Sequence, residues 1–112
     1  MSDNLTAPLN TPLPVRVRVR MGTIWSGEQR FTHAFRIGRS AECQVVVSER
    51  VVSRVHAEVR LDAGQWWLID QHSTHGLYID GSQVIRVPLH EAVTVELGLG
   101  GPAVWLTVGD EI

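Results

Sequence analysis

Lysine is absent from the chain, and cysteine occurs once, at Cys43. A lone thiol excludes an intramolecular disulfide and any zinc site built on cysteines, and it fits a reducing compartment better than a secreted one. Long hydrophobic runs are missing too: the longest charge-free stretch, 97–109, carries four glycines and Pro102. A spanning helix needs about 20 consecutive apolar residues, so no membrane insertion is expected. Residues 1–14 lack a cationic head and an apolar core, and Pro8, Pro12 and Pro14 interrupt them. They read as a flexible tail and not as a secretory signal, which places the chain in the cytoplasm. Nor is charge of one sign in excess, because ten cations, all arginine, face twelve acids for a net charge of −2. A near-neutral chain has no general pull on polyanions, so nucleic-acid binding is not expected. Individual arginine forks still bind one phosphate or carboxylate bidentately.

What the chain has in quantity is valine, sixteen of its 112 residues. At this length one domain buries about two-thirds of its unfolded surface, enough for a core without metal or disulfide staples. Apolar and polar residues alternate strictly through 15–21 and 55–61, a period of two that helices do not show. Shorter β-rich runs lie at 31–37, 44–47, 66–69, 77–79, 84–87, 93–97 and 104–108, with turn signals between them. Asp80-Gly81, between 77–79 and 82–87, marks a two-residue hairpin, since glycine accepts the positive φ of a type I′ turn. The pattern predicts an all-β domain over 15–109, an antiparallel β-sandwich, with 1–14 as tail and 110–112 as its end or the start of a linker.

A sandwich gathers its loops at two ends, and function sits on one set of them. Three strand junctions hold polar groups that turn chemistry alone does not demand: Gly38-Arg39-Ser40, Ser53-Arg54 and Ser73-Thr74-His75-Gly76. Two arginine forks, several hydroxyls and turn-exposed N–H groups are the donor set of a phosphate monoester site. Carboxylates, which would repel such a dianion, are nearly absent from these loops.

In order and spacing, Ile37-Gly38-Arg39-Ser40, Val52-Ser53-Arg54-Val55-His56-Ala57 and the run from Asp70 through Ser73-Thr74-His75-Gly76 to Asp80-Gly81 resemble the signature of the forkhead-associated (FHA) domain family. The resemblance covers roughly 31–108. It implies a β-sandwich of about eleven strands that binds phosphothreonine peptides through loops at one end, with no catalysis and no cofactor. On that resemblance Arg39 is the arginine that ligates phosphate, and Ser53 the serine whose hydroxyl and backbone hold a second phosphate oxygen. Arg54 touches phosphate or peptide, and Thr74 completes the pocket. His56 looks like the family's structural histidine, turned inward to tie neighbouring loops, while Gly38, Ser73, Gly76 and Gly81 support the turns. Where the family commonly uses Asn to hold the peptide backbone, this chain has His75, an imidazole that mimics the amide in part.

The implied partner is a phosphothreonine-containing protein, a Ser/Thr kinase or its substrate, met by a monomeric domain. Ser53-Arg54-Val55-His56, the Gly76-Leu77-Tyr78 step and the Gly/Pro-rich last hairpin look like FHA modules at the N-terminus of some ABC-transporter ATPase chains. That likeness implies a longer chain at the inner face of a membrane. The alternative is a non-catalytic scaffold or oligomerisation sandwich with a degenerate pocket. Retention of both Arg39 and Ser53 weighs against it. Asp70, His72 and Ser73 supply the residue types of a hydrolase triad, but neighbours in one loop do not align base and nucleophile. His72-x-x-His75 lacks further metal ligands at suitable spacing. Gly98-Leu99-Gly100-Gly101 lacks the Lys-Ser/Thr of a phosphate loop. Neither an enzyme nor a metal site is expected.

Overall fold

The computed structural model describes residues 12–110, and among these there is no helix. No helix is therefore long and apolar enough to cross a membrane. Twelve strands follow one another: β1 (Val15–Met21), β2 (Ile24–Trp25), β3 (Gln29–Phe31), β4 (Phe35–Gly38), β5 (Val45–Val46), β6 (Ala57–Asp62), β7 (Gln65–Asp70), β8 (Leu77–Ile79), β9 (Ser82–Val84), β10 (Arg86–Pro88), β11 (Val93–Leu97) and β12 (Ala103–Val108). One sheet runs β2-β1-β12-β11-β8-β9, with β3 also paired to β1, and the other runs β10-β7-β6-β4-β5. The two sheets form the expected sandwich.

The alternation of β1 translates directly into packing. Val15, Val17 and Val19 are buried while Arg16, Arg18 and Arg20 face out. Opposite them, Phe35, Ile37, Val59, Trp66 and Leu68 close the core from the second sheet, and Leu77, Val95, Leu97, Val104 and Leu106 complete it. Phe31 and Phe35 stack at 4.1 Å between ring centroids, a contact that joins β3 of one sheet to β4 of the other. The hydrogen bonding of the sandwich reaches back to Leu13, whose carbonyl accepts from Trp66 Nε1, and to Pro14, whose carbonyl accepts from Gly109 N. Most of the 1–14 tail, residues 1–11, lies outside the described residues, as do 111–112 of the C-terminal end.

Two runs that read as single strands are each two strands in different sheets. The 31–37 run divides into β3 and β4, and the 82–87 arm of the Asp80-Gly81 hairpin divides at Ile85 into β9 and β10. Ile85 is 69% exposed where the chain crosses the sandwich edge, and its carbonyl accepts from Asp70 N. Hydrophobic periodicity reports which face a residue takes, and it is blind to a change of sheet. One pair also departs from antiparallel order, since β4 and β5 run parallel over Ile37↔Val45 and Gly38↔Val46. A parallel return normally requires a long crossover. Here the ladder is two pairs long, so the loop 39–44 has only a short distance to recover, and that loop carries Arg39 to the end of the sandwich.

The hairpin tips follow turn chemistry. Asp80 (φ 50°) and Gly81 (φ 82°) join β8 to β9, as a type I′ turn requires. Ala63 (φ 52°) and Gly64 (φ 81°) join β6 to β7 in the same way. The left-handed region costs a residue with a Cβ about 1 kcal/mol or more, and Asn tolerates it best. Ala63→Asn is expected to stabilise the domain by about 0.5–1 kcal/mol, measured as an increased midpoint of urea unfolding with unchanged slope.

Candidate functional site

Three loops meet at one end of the sandwich: 39–44 after β4, 47–56 between β5 and β6, and 71–76 between β7 and β8. The first two are laced by backbone. Arg39 N donates to Ser53 O at 2.9 Å, and Ser40 N donates to Arg54 O at 3.0 Å. This pairing brings the chains so close that a Cβ on Gly38 would overlap the Arg54 carbonyl, so only glycine fits there. The Arg54 carbonyl also accepts from the Cys43 thiol at 3.3 Å. Cys43 is buried, and desolvation, opposed by the Arg36 charge, pushes its pKa up. It stays a protonated donor beneath the loop.

Arg39 is exposed, and its Nε donates to Val52 O at 2.9 Å. One edge of the guanidinium is thereby fixed against its own neighbour loop, and the terminal nitrogens meet no carboxylate among the described residues. Ser53 Oγ accepts from Thr74 N at 3.0 Å, which joins the third loop and leaves the hydroxyl hydrogen available to a ligand oxygen. Arg39, Ser53 and Thr74 are thus brought together through bonds that run residue to residue. The Ser53 N–H, in contrast, is committed to His56 Nδ1 at 3.1 Å. It is therefore occupied, where the resemblance implies a phosphate contact from the backbone as well as the hydroxyl. Arg54, Thr74 and His75 are exposed at the rim.

His56 is fully buried, and its two ring nitrogens face two different loops. Nδ1 accepts from Ser53 N, so Nε2 carries the proton and donates to Gly76 O at 2.8 Å. The Gly76 carbonyl takes a second hydrogen bond, from Gly98 N at 2.8 Å, which ties in the turn between β11 and β12. Gly76 itself has φ 80°, a conformation that a Cβ makes costly. Gly81 sits apart in the β8–β9 turn and touches none of these groups.

Ser73 points inward. Its hydroxyl donates to Asp70 Oδ1 and accepts from Gly76 N at 2.9 Å, and its N–H donates to Asp70 Oδ2 at 3.2 Å. Asp70 therefore holds the loop that presents Thr74 and His75, a role that sequence reasoning missed. The signal was available, since an Asp three residues ahead of Ser is a side-chain-capped turn. Gly98 was missed as well, and a Cβ there would press on His75 Cβ at 3.2 Å.

Burial lowers the His56 pKa below the ordinary imidazole range, and this outweighs the raising effects of the Gly76 carbonyl and Asp70. The unfolded chain takes up that proton near pH 6.5, so below that pH the unfolded state binds more protons than the folded one. Stability falls as pH falls through 6.5, by up to about 1.4 kcal/mol per pH unit. His56→Gln is expected to be less stable at pH 7.5 and to show a shallower loss between pH 7.5 and 5.5, measured by urea unfolding at each pH.

The FHA domain family model matches residues 35–98, more than half of the chain. The ABC transporter ATP-binding/permease protein Rv1747 of Mycobacterium tuberculosis is 36% identical over 78 residues, a stretch that is 69% of this chain and 9% of that protein. The chain thus spans a small part of that relative. The crystal structure of the Mycobacterium tuberculosis Rv1747 FHA-1 domain is 33% identical, covers 88% of this chain and 99% of its own, and superposes with a TM-score of 0.74. Mycobacterium tuberculosis EmbR, solved in complex with a low-affinity phosphopeptide, shares the fold at 16% identity and a TM-score of 0.70 over 87% of this chain and 25% of its own. The family match across the loop-bearing core, and the likeness to Rv1747 FHA-1 along nearly the whole described length, show that this chain belongs to the FHA domain family.

Proposed function

We propose that the chain is a phosphothreonine-dependent binding module. The observation that carries this reading is the pairing of Arg39 with Ser53: their backbones are hydrogen-bonded, while the terminal guanidinium nitrogens of exposed Arg39 and the donor side of the Ser53 hydroxyl are engaged by no other described residue. A dianionic phosphate fits between them, held by two charge-assisted bonds and the Ser53 hydroxyl, with the Arg54 guanidinium at the rim. In this reading the peptide that flanks the phosphate crosses Thr74 and His75, which are exposed at the rim. Preference for threonine over serine comes from family membership, and the complex of EmbR with a phosphopeptide supports the same use of the fold. The Ser53 hydroxyl meets a backbone N–H and not a base, and the Ser73 hydroxyl that bonds Asp70 is used up in holding its turn, which supports a site that holds a ligand without transforming it. A Ser/Thr kinase or one of its substrates is the partner class that carries such a mark, and the kinship with a transporter protein supports an encounter at the cytoplasmic face of a membrane.

The alternative, a scaffold with a retired pocket, makes the opposite prediction about phosphate. Charge-assisted hydrogen bonds contribute roughly 1.5–3 kcal/mol each, so removal of an arginine that makes two of them costs about 100-fold in affinity. Fluorescence polarisation with a degenerate phosphothreonine peptide library, beside phosphoserine and unmodified controls, is expected to show saturable binding to the phosphothreonine peptides. Arg39→Ala is expected to reduce it at least about 100-fold and Ser53→Ala roughly 10-fold. Absence of binding by the folded protein, or equal binding to the unmodified peptides, gives the scaffold reading its place.

A further inference from the structure

Cross-strand register sorts the outer face of the β1 sheet into rows. Residues paired in register turn their side chains to the same side of a sheet. Trp25, Arg20, Ala103, Glu96 and Tyr78, on β2, β1, β12, β11 and β8, therefore form one outward row. The next outward row reads Arg18, Trp105 and Thr94. Arg16 and Arg18 lie 5.5 and 5.7 Å from the Trp105 ring centroid and share Glu28 at 3.2 and 3.6 Å. Arg30, in register with Arg16, holds Asp110 at 2.6 Å. Glu96 accepts from Gly100 N at 2.9 Å, and Glu49 shares a hollow with Arg20 at the loop end. Arg16, Arg18, Arg20 and Arg30 thus stand against Glu28, Glu49, Glu96 and Asp110, and the face is balanced in charge.

A balanced face selects neither a polyanion nor a polycation, but the order of its groups is selective. Across the sheet the first row is aromatic, cation, small residue, anion, aromatic, with β12 at its centre. That order is complementary to itself. A two-fold axis along β12 sets Arg20 of one copy opposite Glu96 of a second copy, and Glu96 opposite Arg20 of the second copy. The same rotation sets Trp25 opposite Tyr78 and brings the two Ala103 residues, which have little side chain to keep the sheets apart, face to face. In the next row Trp105 meets its own copy and Arg18 meets the exposed Thr94, so no like charges are opposed in either row. Trp, Tyr and Arg are the residues enriched where proteins associate, and Trp25 is left 42% exposed by folding.

We propose that two copies of this chain associate face to face through the β1 sheet, about a two-fold axis that runs along β12. From β2 to β8 the face is five strands wide. At about 4.8 Å per strand and about 20 Å of strand length it measures roughly 500 Å². That lies at the low end of specific interfaces, so the pair is weak and reversible. It replaces the monomer that the sequence resemblance implies. Rotation about the strand direction leaves both loop ends pointing the same way, which sets the two Arg39 loops side by side. The pairing does not rest on the phosphothreonine reading. Where that reading holds, the pair is bivalent toward a partner that carries two marks.

Sedimentation equilibrium of the 112-residue chain, over a concentration series reaching hundreds of micromolar, provides the test. A reversible monomer–dimer equilibrium is expected without any phosphopeptide, and it should weaken as salt is raised. Arg20→Glu and Glu96→Arg should each weaken the dimer at least about tenfold, because each turns both symmetric pairs into like charges. An equimolar mixture of the two variants should dimerise as the parent chain does, since in the mixed pair every reversed charge meets an unlike one. Thr94→Arg spares the bond from Glu96 to the Gly100 turn and should weaken the dimer severalfold by setting a cation opposite Arg18. Unchanged urea unfolding confirms that the variants are folded. A monomeric mass at the highest concentration overturns the proposal. So does association that Arg20→Glu and Thr94→Arg leave unchanged, which moves the contact to another face. A mixture of folded Arg20→Glu and Glu96→Arg chains that stays monomeric overturns the two-fold arrangement.

Discussion

Buried imidazole is tolerable only when both nitrogens are satisfied and the ring is neutral, and at His56 those two conditions determine how the loop end of the sandwich is assembled. Ser53 N–H occupies Nδ1, which forces the proton onto Nε2 and points it at the Gly76 carbonyl. That carbonyl has a second lone pair, which Gly98 N–H fills. The loops 47–56 and 71–76 and the turn after β11 therefore converge on one ring and one carbonyl oxygen. Loss of any member leaves a buried polar group unpaired, at a cost of about 1–3 kcal/mol. An apolar side chain of equal size would fill the space and hold none of the loops in register.

The consequence for the site is preorganisation. Each group of the proposed site is attached to a backbone that is already engaged: Arg39 N to Ser53 O, Thr74 N to Ser53 Oγ, and the 73–76 turn to Asp70. Arg39 has in addition one guanidinium edge fixed on Val52 O. A flexible arginine loses roughly 0.5–1.5 kcal/mol of side-chain freedom on binding, and here part of that loss is met at folding.

The β1, β6 and β7 strands were legible because each has one buried face, and a period of two records a buried face directly. The β2 dipeptide Ile24–Trp25 was not, because both residues are exposed and no alternation marks them. The splits at 32–34 and Ile85 were hidden for the complementary reason that a chain can change sheets without changing which way its side chains point. At the site, Arg39, Ser53 and Thr74 were legible as a sequence order, and the fold does unite them. The engagement of Ser53 N–H by His56 is a contact only three residues long. It depends on the ring being turned inward by the Gly76 carbonyl twenty residues on, and a partner at that separation leaves no mark in composition. Asp70 was misjudged by being weighed only as a catalytic acid, when its spacing to Ser73 already described a turn.

The absence of lysine acquires a physical meaning on the folded molecule. Arg16 and Arg18 lie over Trp105, Arg20 over Trp25, and Arg86 over Trp67 at 4.0 Å. Four of the ten cations thus lie over an indole ring, a contact that a planar guanidinium makes more readily than an ammonium. Arg39 depends on the same planarity in another way, because one edge of its fork binds a carbonyl while the other stays presented. A lysine that satisfied Val52 O would have its single charged centre drawn to that carbonyl, with no rigid second edge left to display. Arginine thus serves two surfaces of this small sandwich through one property: a planar cation can be anchored on one side and remain a donor on the other.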